Sequence, residues 1–300
     1  MERVTSVEEV RQTLGASRRE GKTVALVPTM GALHDGHIAL VRAACKRADF
    51  VVVSIFVNPT QFGPGEDFEA YPRDIPHDIE LLAAEGVEVV FTPGVEAMYP
   101  AGSDTIVEPG TMAMLWEGEV RPGHFTGMLT VVAKLLNVVT PDLAFFGEKD
   151  FQQLVLVRKM VRDLDFGVQV VGVPIVRDRS GLALSSRNAY LTDVERAAAI
   201  VLSHTLDEVR RIADEGERDA LTLARFMAEE IEMESLARLD HAAIVDPLTL
   251  EQLEVLDRPA RAIVAARFGR ARLIDNAPIL PPIRGMTAPA AEEAKWSTPA

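Results

Sequence analysis

Val24-Ala25-Leu26-Val27-Pro28-Thr29-Met30-Gly31-Ala32-Leu33-His34-Asp35-Gly36-His37 reads as a buried strand, a turn and the start of a helix. Residues 24–27 form an unbroken apolar run, the pattern of a strand covered on both faces. Four further runs read the same way, at 51–57, 87–91, 143–146 and 168–173, all rich in Val, Ile or Phe. Helical patterns fit between most of them, as at 37–47 and 78–85. A β-α-β-α series of this kind predicts an α/β fold, a doubly wound parallel sheet with right-handed crossovers. Such sheets bind ligands beyond the carboxyl ends of their strands.

The texture changes after Val176. Residues 177–188 are polar and read as a loop or hinge. Thr192-Asp193-Val194-Glu195 is a capping box, and the helix it opens is predicted to run to 212. A second helix is predicted over 219–236. Strands follow at 241–245, 261–266 and 272–275, the last two flanking a hairpin turn at Gly269. The expectation is a larger unit over 1–176 and a smaller C-terminal α+β unit over 177–284. The tail 285–300, rich in Ala, Pro, Thr and Glu, is predicted to be disordered.

Composition narrows the function classes. The chain has 300 residues and is 48% hydrophobic, enough for a sizeable core. Its formal charge is −14, from 31 basic and 45 acidic residues, which repels nucleic acid and anionic membranes over long range. A few cations in a cleft can still hold a small anionic substrate. Cys45 is the only cysteine, so an intramolecular disulfide and a cysteine-based metal cluster are both excluded. That suits a reducing compartment. Residues 1–20 are mixed and charged, and no apolar run approaches the ~20 residues that span a bilayer. A soluble, cytoplasmic protein is expected.

Four blocks carry candidate chemistry, each at or just past a strand end or in the polar loop. In the first, His34 and His37 lie three apart, so a helical first turn places them on one face. A helix N-terminus offers free N–H groups and a positive dipole end to a phosphate, and Gly36 removes a side chain where a phosphate would approach. Imidazole N–H groups there could stabilise charge developing on phosphoryl oxygens. Taken alone, the two histidines read more readily as solvated loop residues. A zinc site is a weaker alternative, because no third ligand has a recognisable spacing. In the second block, Ser54-Ile55-Phe56-Val57-Asn58-Pro59-Thr60-Gln61-Phe62, the Gln61 amide could bind a hydroxyl and a carboxylate together, whereas Asn58-Pro59 could be only a turn. The third block is Phe145-Phe146-Gly147-Glu148-Lys149-Asp150-Phe151-Gln152-Gln153. Gly147 allows close approach, Lys149 supplies a point charge and Gln153 another amide. The fourth, Leu184-Ser185-Ser186-Arg187-Asn188, sets two hydroxyls and a guanidinium where they could wrap a triphosphate, or merely serve as a polar linker.

The first block resembles the His-x-Gly-His signature of the nucleotidyltransferase superfamily. With its flanks, Pro28-Thr29-Met30-Gly31-Ala32-Leu33-His34-Asp35-Gly36-His37 is similar to the pantothenate synthetases of that superfamily, the pantoate–β-alanine ligases. The other blocks resemble the same family, with Leu184 standing where Met is commoner. So do Tyr71-Pro72-Arg73 and Arg121-Pro122-Gly123-His124-Phe125, as stretches that help line the family's pocket. The likeness covers roughly 24–276.

The resemblance implies a Rossmann-like sheet that binds nucleotide and pantoate, with the C-terminal α+β unit as its lid, and a homodimer. It implies ATP, pantoate and β-alanine as substrates, with pantothenate, AMP and pyrophosphate formed through a pantoyl adenylate. His34, His37, Lys149 and Arg187 are the implied catalytic residues. Met30, His37, Gly147, Lys149, Asp150, Val176, Leu184, Ser185, Ser186 and Arg187 are the implied ATP contacts, Asp150 at the ribose, and Gln61 and Gln153 the implied pantoate contacts. Magnesium would accompany ATP, with Asp78 the best protein ligand in a patch that here reads Asp74, His77 and Asp78. Two other readings remain: a nucleotidyltransferase that leaves the nucleotide on its product, and a nucleotide-binding regulatory module without turnover. Gly21-Lys22-Thr23 only mimics a P-loop, since five residues separate Gly15 from Gly21 where four are needed and the segment precedes a strand.

Overall fold

The computed structural model of the protein describes residues 1–280, so the predicted tail at 285–300 lies outside the described residues. Nine strands are described: β1 Glu2–Val4, β2 Val24–Thr29, β3 Phe50–Ile55, β4 Val89–Phe91, β5 Leu143–Gly147, β6 Gln169–Val173, β7 Ala237–Val245, β8 Ala260–Phe268 and β9 Ala271–Ile279. The first six make one sheet in the order β1-β4-β3-β2-β5-β6, and every pair in it is parallel. The five predicted strands are all present, and β1 is an edge strand that the hydrophobic pattern does not signal.

Alternate residues of each buried strand face opposite layers, as the period of two requires. Val24 and Leu26 pack with the helices Val7–Arg19, His124–Val139 and Phe151–Asp163. Ala25 and Val27 pack with Asp35–Cys45 and Ile75–Ala84 on the other face. The sheet is therefore doubly wound. Its strand order reverses between β2 and β5, which pair only at Ala25–Leu143 and Leu26–Ala144. Beyond those pairs the two strand ends are not paired with each other, and a crevice lies there. The first and third sequence blocks leave the sheet at those two ends, which is why they meet.

The C-terminal sheet is antiparallel, in the order β7-β8-β9, and has its own core with helices Val201–Asp214 and Ala220–Glu232. Gly269 turns the β8–β9 hairpin at φ +55°, where a side chain would also strike Glu195. The predicted helix to 212 is interrupted. The capping box at Thr192 opens Asp193–Ala198, and a tighter turn through Ala199 and Ile200 separates it from Val201–Asp214. A fourth cluster, Phe151, Val155, Ala243, Val245, Leu250 and Ile263, packs this sheet onto the helix Phe151–Asp163. Among the described residues no helix is long and apolar enough to cross a membrane.

Candidate active site

The crevice between β2 and β5 opens into a cleft of about 220 Å³. Its wall includes Met30, His34, His37, Gln61, Gly147, Lys149, Asp150, Gln153, Val176, Leu184, Ser185, Ser186 and Arg187. Those are all the residues expected to contact ATP or pantoate, drawn from four separate segments. Tyr71, Arg121 and His124 join them, and Phe56, Phe62, Met128, Val131, Val132 and Leu135 form an apolar wall.

His34 is the N-cap of the helix Asp35–Cys45, and His37 is its third residue. The pair makes a capping box: Gly36 N–H donates to His34 Nδ1 at 3.1 Å, and His34 N–H donates to His37 Nδ1 at 3.4 Å. Each Nδ1 is thus an acceptor. The proton of each neutral ring sits on Nε2, the nitrogen left to donate. Gly36 serves this arrangement directly, because a Cβ there would lie 2.8–2.9 Å from the His34 ring. The sequence alone gives that glycine only a role in phosphate approach; the folded-back imidazole is the nearer reason.

Burial keeps these rings uncharged. Desolvation first, then Lys149, lowers His34 to about 4, and desolvation, His34 and Lys149 lower His37 to about 3. His124 is lowered to about 4 by burial and by Arg121. Its Nε2 faces Arg121 Nη1 at 3.0 Å, and its Nδ1 faces the Gln61 carbonyl at 2.8 Å. Arginine can only donate and a carbonyl can only accept, so the proton is on Nδ1. Once unfolded, all three rings take protons near pH 6.5. The unfolded chain therefore binds more protons between about pH 6.5 and 4, and stability present above that window is lost as the pH falls through it. Melting temperature should drop on acidification across this range. The drop should be shallower in His34→Asn, which retains a capping side chain. An unchanged slope in that variant would show that His34 is not held neutral.

Asn58 is completely buried and is more than a turn residue. Its Oδ1 accepts from Thr60 and from Tyr99 Oη at 2.9 Å, and its Nδ2 donates to Gly127 O at 3.1 Å and Gln61 Oε1 at 3.2 Å. Gln61 consequently has its carbonyl oxygen engaged by Asn58, and its Nε2 donates to Met30 Sδ at 2.9 Å on the cleft wall. Gln61 thus turns its Nε2 donor toward the cleft, while Asn58 occupies one of the two acceptor positions of its Oε1.

Asp78, the expected magnesium ligand, is taken up by the backbone. It is buried, does not line the cleft, and accepts the N–H groups of Ala32 at 2.9 Å and Leu33 at 2.8 Å. It pins the turn after β2, where Gly31 and Ala32 both have positive φ. Burial outweighs those two bonds and pushes its carboxyl up. Asp74 caps Ile75–Ala84 by accepting from His77 N–H. These residues therefore do not fit a magnesium site. Among the described residues no three His, Cys, Asp or Glu side chains gather closely enough to hold a metal.

Two adjacent acids that the sequence does not single out face the cleft's cations. Asp67 takes Arg187 in a fork at 2.9 and 3.1 Å, and Glu66 takes Arg121 at 2.7 and 2.8 Å. A phosphate on Arg187 must compete with the Asp67 carboxylate. The signal for this is present only as Glu66-Asp67 beside a Gly-rich turn, which any solvated loop could carry.

A family model for pantoate–β-alanine ligase matches residues 2–278. The chain is 54% identical over 280 residues to the pantothenate synthetase of Rubrobacter xylanophilus, covering 91% of this chain and 96% of that protein. The crystal structure of pantothenate synthetase from Thermus thermophilus superposes with a TM-score of 0.89 at 50% identity, over 94% of this chain and all of that one. The pantoate–β-alanine ligase of Francisella tularensis, solved in complex with β,γ-ATP and β-alanine, gives a TM-score of 0.76 at 35% identity over 92% and 97% of the two chains.

Proposed function

The chain belongs to the pantoate–β-alanine ligase family, and from that premise we propose how its cleft joins pantoate to β-alanine with ATP. Pantoate's carboxylate attacks the α-phosphorus, the bond to the β,γ-pyrophosphate breaks, and pantoyl adenylate forms. The amine of β-alanine then attacks the acyl carbon, AMP leaves, and the new amide is pantothenate. Lys149, Arg187, Ser185 and Ser186 hold the phosphates. The Nε2–H groups of His34 and His37 meet the oxygens on which charge grows. Gly147 and Met30 border the nucleotide with Val176 and Leu184, and Asp150 takes the ribose. Gln61 and Gln153 orient pantoate, whose two methyl groups suit the apolar wall at Phe62, Met128 and Val132. Magnesium arrives as part of the substrate, on the triphosphate and its water.

The observation that carries this reading is the convergence of four separated blocks on one cleft at the point where the strand order reverses. Residues 1–176 serve as the substrate-binding unit and 177–284 as a lid that keeps water from the adenylate; the separate cores favour that division. A homodimer is carried over from the family likeness, with a mass of twice 32.7 kDa, as is a cytoplasmic setting.

Isotope tracing tests the route. Pantoate labelled with ¹⁸O in its carboxylate should pass one labelled oxygen into AMP. Unlabelled AMP, or ADP as the nucleotide product, would overturn the adenylate.

A further inference from the structure

The C-terminal sheet holds three buried polar residues that its own core does not need: Arg261, Asp275 and Asn276. Burying such groups is costly unless each finds a partner. Arg261 and Asn276 find theirs in each other and in residues 148–149 of the first unit. Asn276 Nδ2 donates to two successive backbone carbonyls, Glu148 O at 3.0 Å and Lys149 O at 2.9 Å. Its Oδ1 accepts from Arg261 Nε at 2.7 Å. Carbonyls only accept and guanidinium only donates, so this amide has one possible orientation. Arg261 also reaches Glu148 Oε2 at 3.1 Å and lies over the Phe151 ring, 4.3 Å from its centre. Asp275 in turn is forked by Arg177 at 2.5 and 2.9 Å, at the start of the loop that carries Ser185 to Arg187.

The target of the Asn276 and Arg261 contacts is the single 3₁₀ turn Glu148–Asp150 between β5 and the helix Phe151–Asp163. So short a turn has little hydrogen bonding of its own. We propose that Asn276, held by Arg261, is a positioning residue: it fixes the backbone of this turn so that Lys149 projects into the phosphate end of the cleft. The C-terminal sheet then builds part of the ATP site, in addition to covering it.

This inference rests on Lys149 being a phosphate ligand, and the test separates the two. Pyrophosphate release from ATP and pantoate is measured for the full chain, for Lys149→Ala, for Asn276→Ala and for the double variant. Asn276→Ala should lower the rate about 10- to 10²-fold, the scale of an ångström misplacement, raise the ATP requirement and leave the pantoate requirement unchanged. In the Lys149→Ala background the same change should add almost nothing, because its only route to the chemistry is gone. If Lys149→Ala alone keeps full activity, the ligand reading fails. If Lys149→Ala is impaired but Asn276→Ala is harmless, or multiplies its full factor onto Lys149→Ala, the positioning role fails. Should Asn276→Ala not fold, Arg261→Lys, which keeps the charge and loses the fork, is run through the same cycle with the same outcomes.

Discussion

Replacing His37 by alanine should cut pantoate-dependent pyrophosphate release by about 10²–10³-fold, the loss expected when one preorganised donor to a transition state is removed. The reason lies in the charge state and aim of the ring. A lysine or arginine attracts the triphosphate before and during reaction, which is largely uniform binding and lowers the substrate requirement without raising the rate. A neutral imidazole is different. It contributes a single directional N–H, which gains most when the equatorial oxygens move and charge up. His37 is fixed for that role by its partner: Nδ1 is held by the backbone N–H of His34, and the two rings lie 4.1 Å apart. The rate should therefore fall far more than ATP binding does. Stability should change by about 1 kcal/mol, the usual size of a lost cap interaction. Single-turnover pyrophosphate release together with thermal melts decides the matter. A large fall in melting temperature with normal turnover per folded molecule would make His37 a structural residue. His34→Ala should behave alike in rate.

How much of the fold and the cleft is legible in the sequence depends on what each residue's neighbours are. The central strands are visible because β2, β3 and β5 carry apolar runs of three or four consecutive residues without polar alternation, as a doubly covered sheet requires. The helix His124–Val139 does not stand out. It is buried around most of its circumference, so its apolar stripe is broad, and short pieces of it such as Leu135–Leu136 or Val138–Val139 cannot be told from a buried strand. Strand order is invisible too, since no local pattern states which side of β2 receives β5. The cleft residues are readable because each block sits at a strand end or in the polar loop, where chemistry-bearing side chains have no packing reason to be. Asp78 and Asn58 show the opposite case. Both are short polar residues next to those blocks, and both are spent on hydrogen bonds to backbone or to Gln61 that only the fold reveals. Asn276 lies more than a hundred residues from the turn it braces, beyond the reach of any spacing argument.

Gly127→Ala should damage both stability and pantoate recognition, although alanine is the better helix former by about 1 kcal/mol. Gly127 sits within the helix His124–Val139, which packs directly on the short turn Pro59–Gln61. A Cβ at this position would stand 2.1 Å from Thr60 O, 2.4 Å from Thr60 C and 2.7 Å from Gln61 N. All three are backbone atoms, so no side-chain rotation can make room, and the helix or the turn must move. Either movement stretches the bond from Asn58 Nδ2 to Gly127 O and shifts Gln61, whose amide that same Asn58 orients. Overpacking of this kind costs about 1–3 kcal/mol and sometimes more, enough to exceed the propensity gain. Gly110→Ala is the control, because Gly110 has an ordinary φ of −75° and open space where its Cβ would go. Denaturant unfolding should show Gly127→Ala clearly less stable than Gly110→Ala. Its half-saturating pantoate concentration should rise while that for ATP stays close to the parent value, since the residues proposed to hold ATP, Lys149 and Ser185 to Arg187, lie on other segments of the cleft wall. Equal stability and equal pantoate affinity in the two variants would mean that the helix and the Gln61 turn are not in contact, and the donor geometry assigned to Gln61 would fall with that contact.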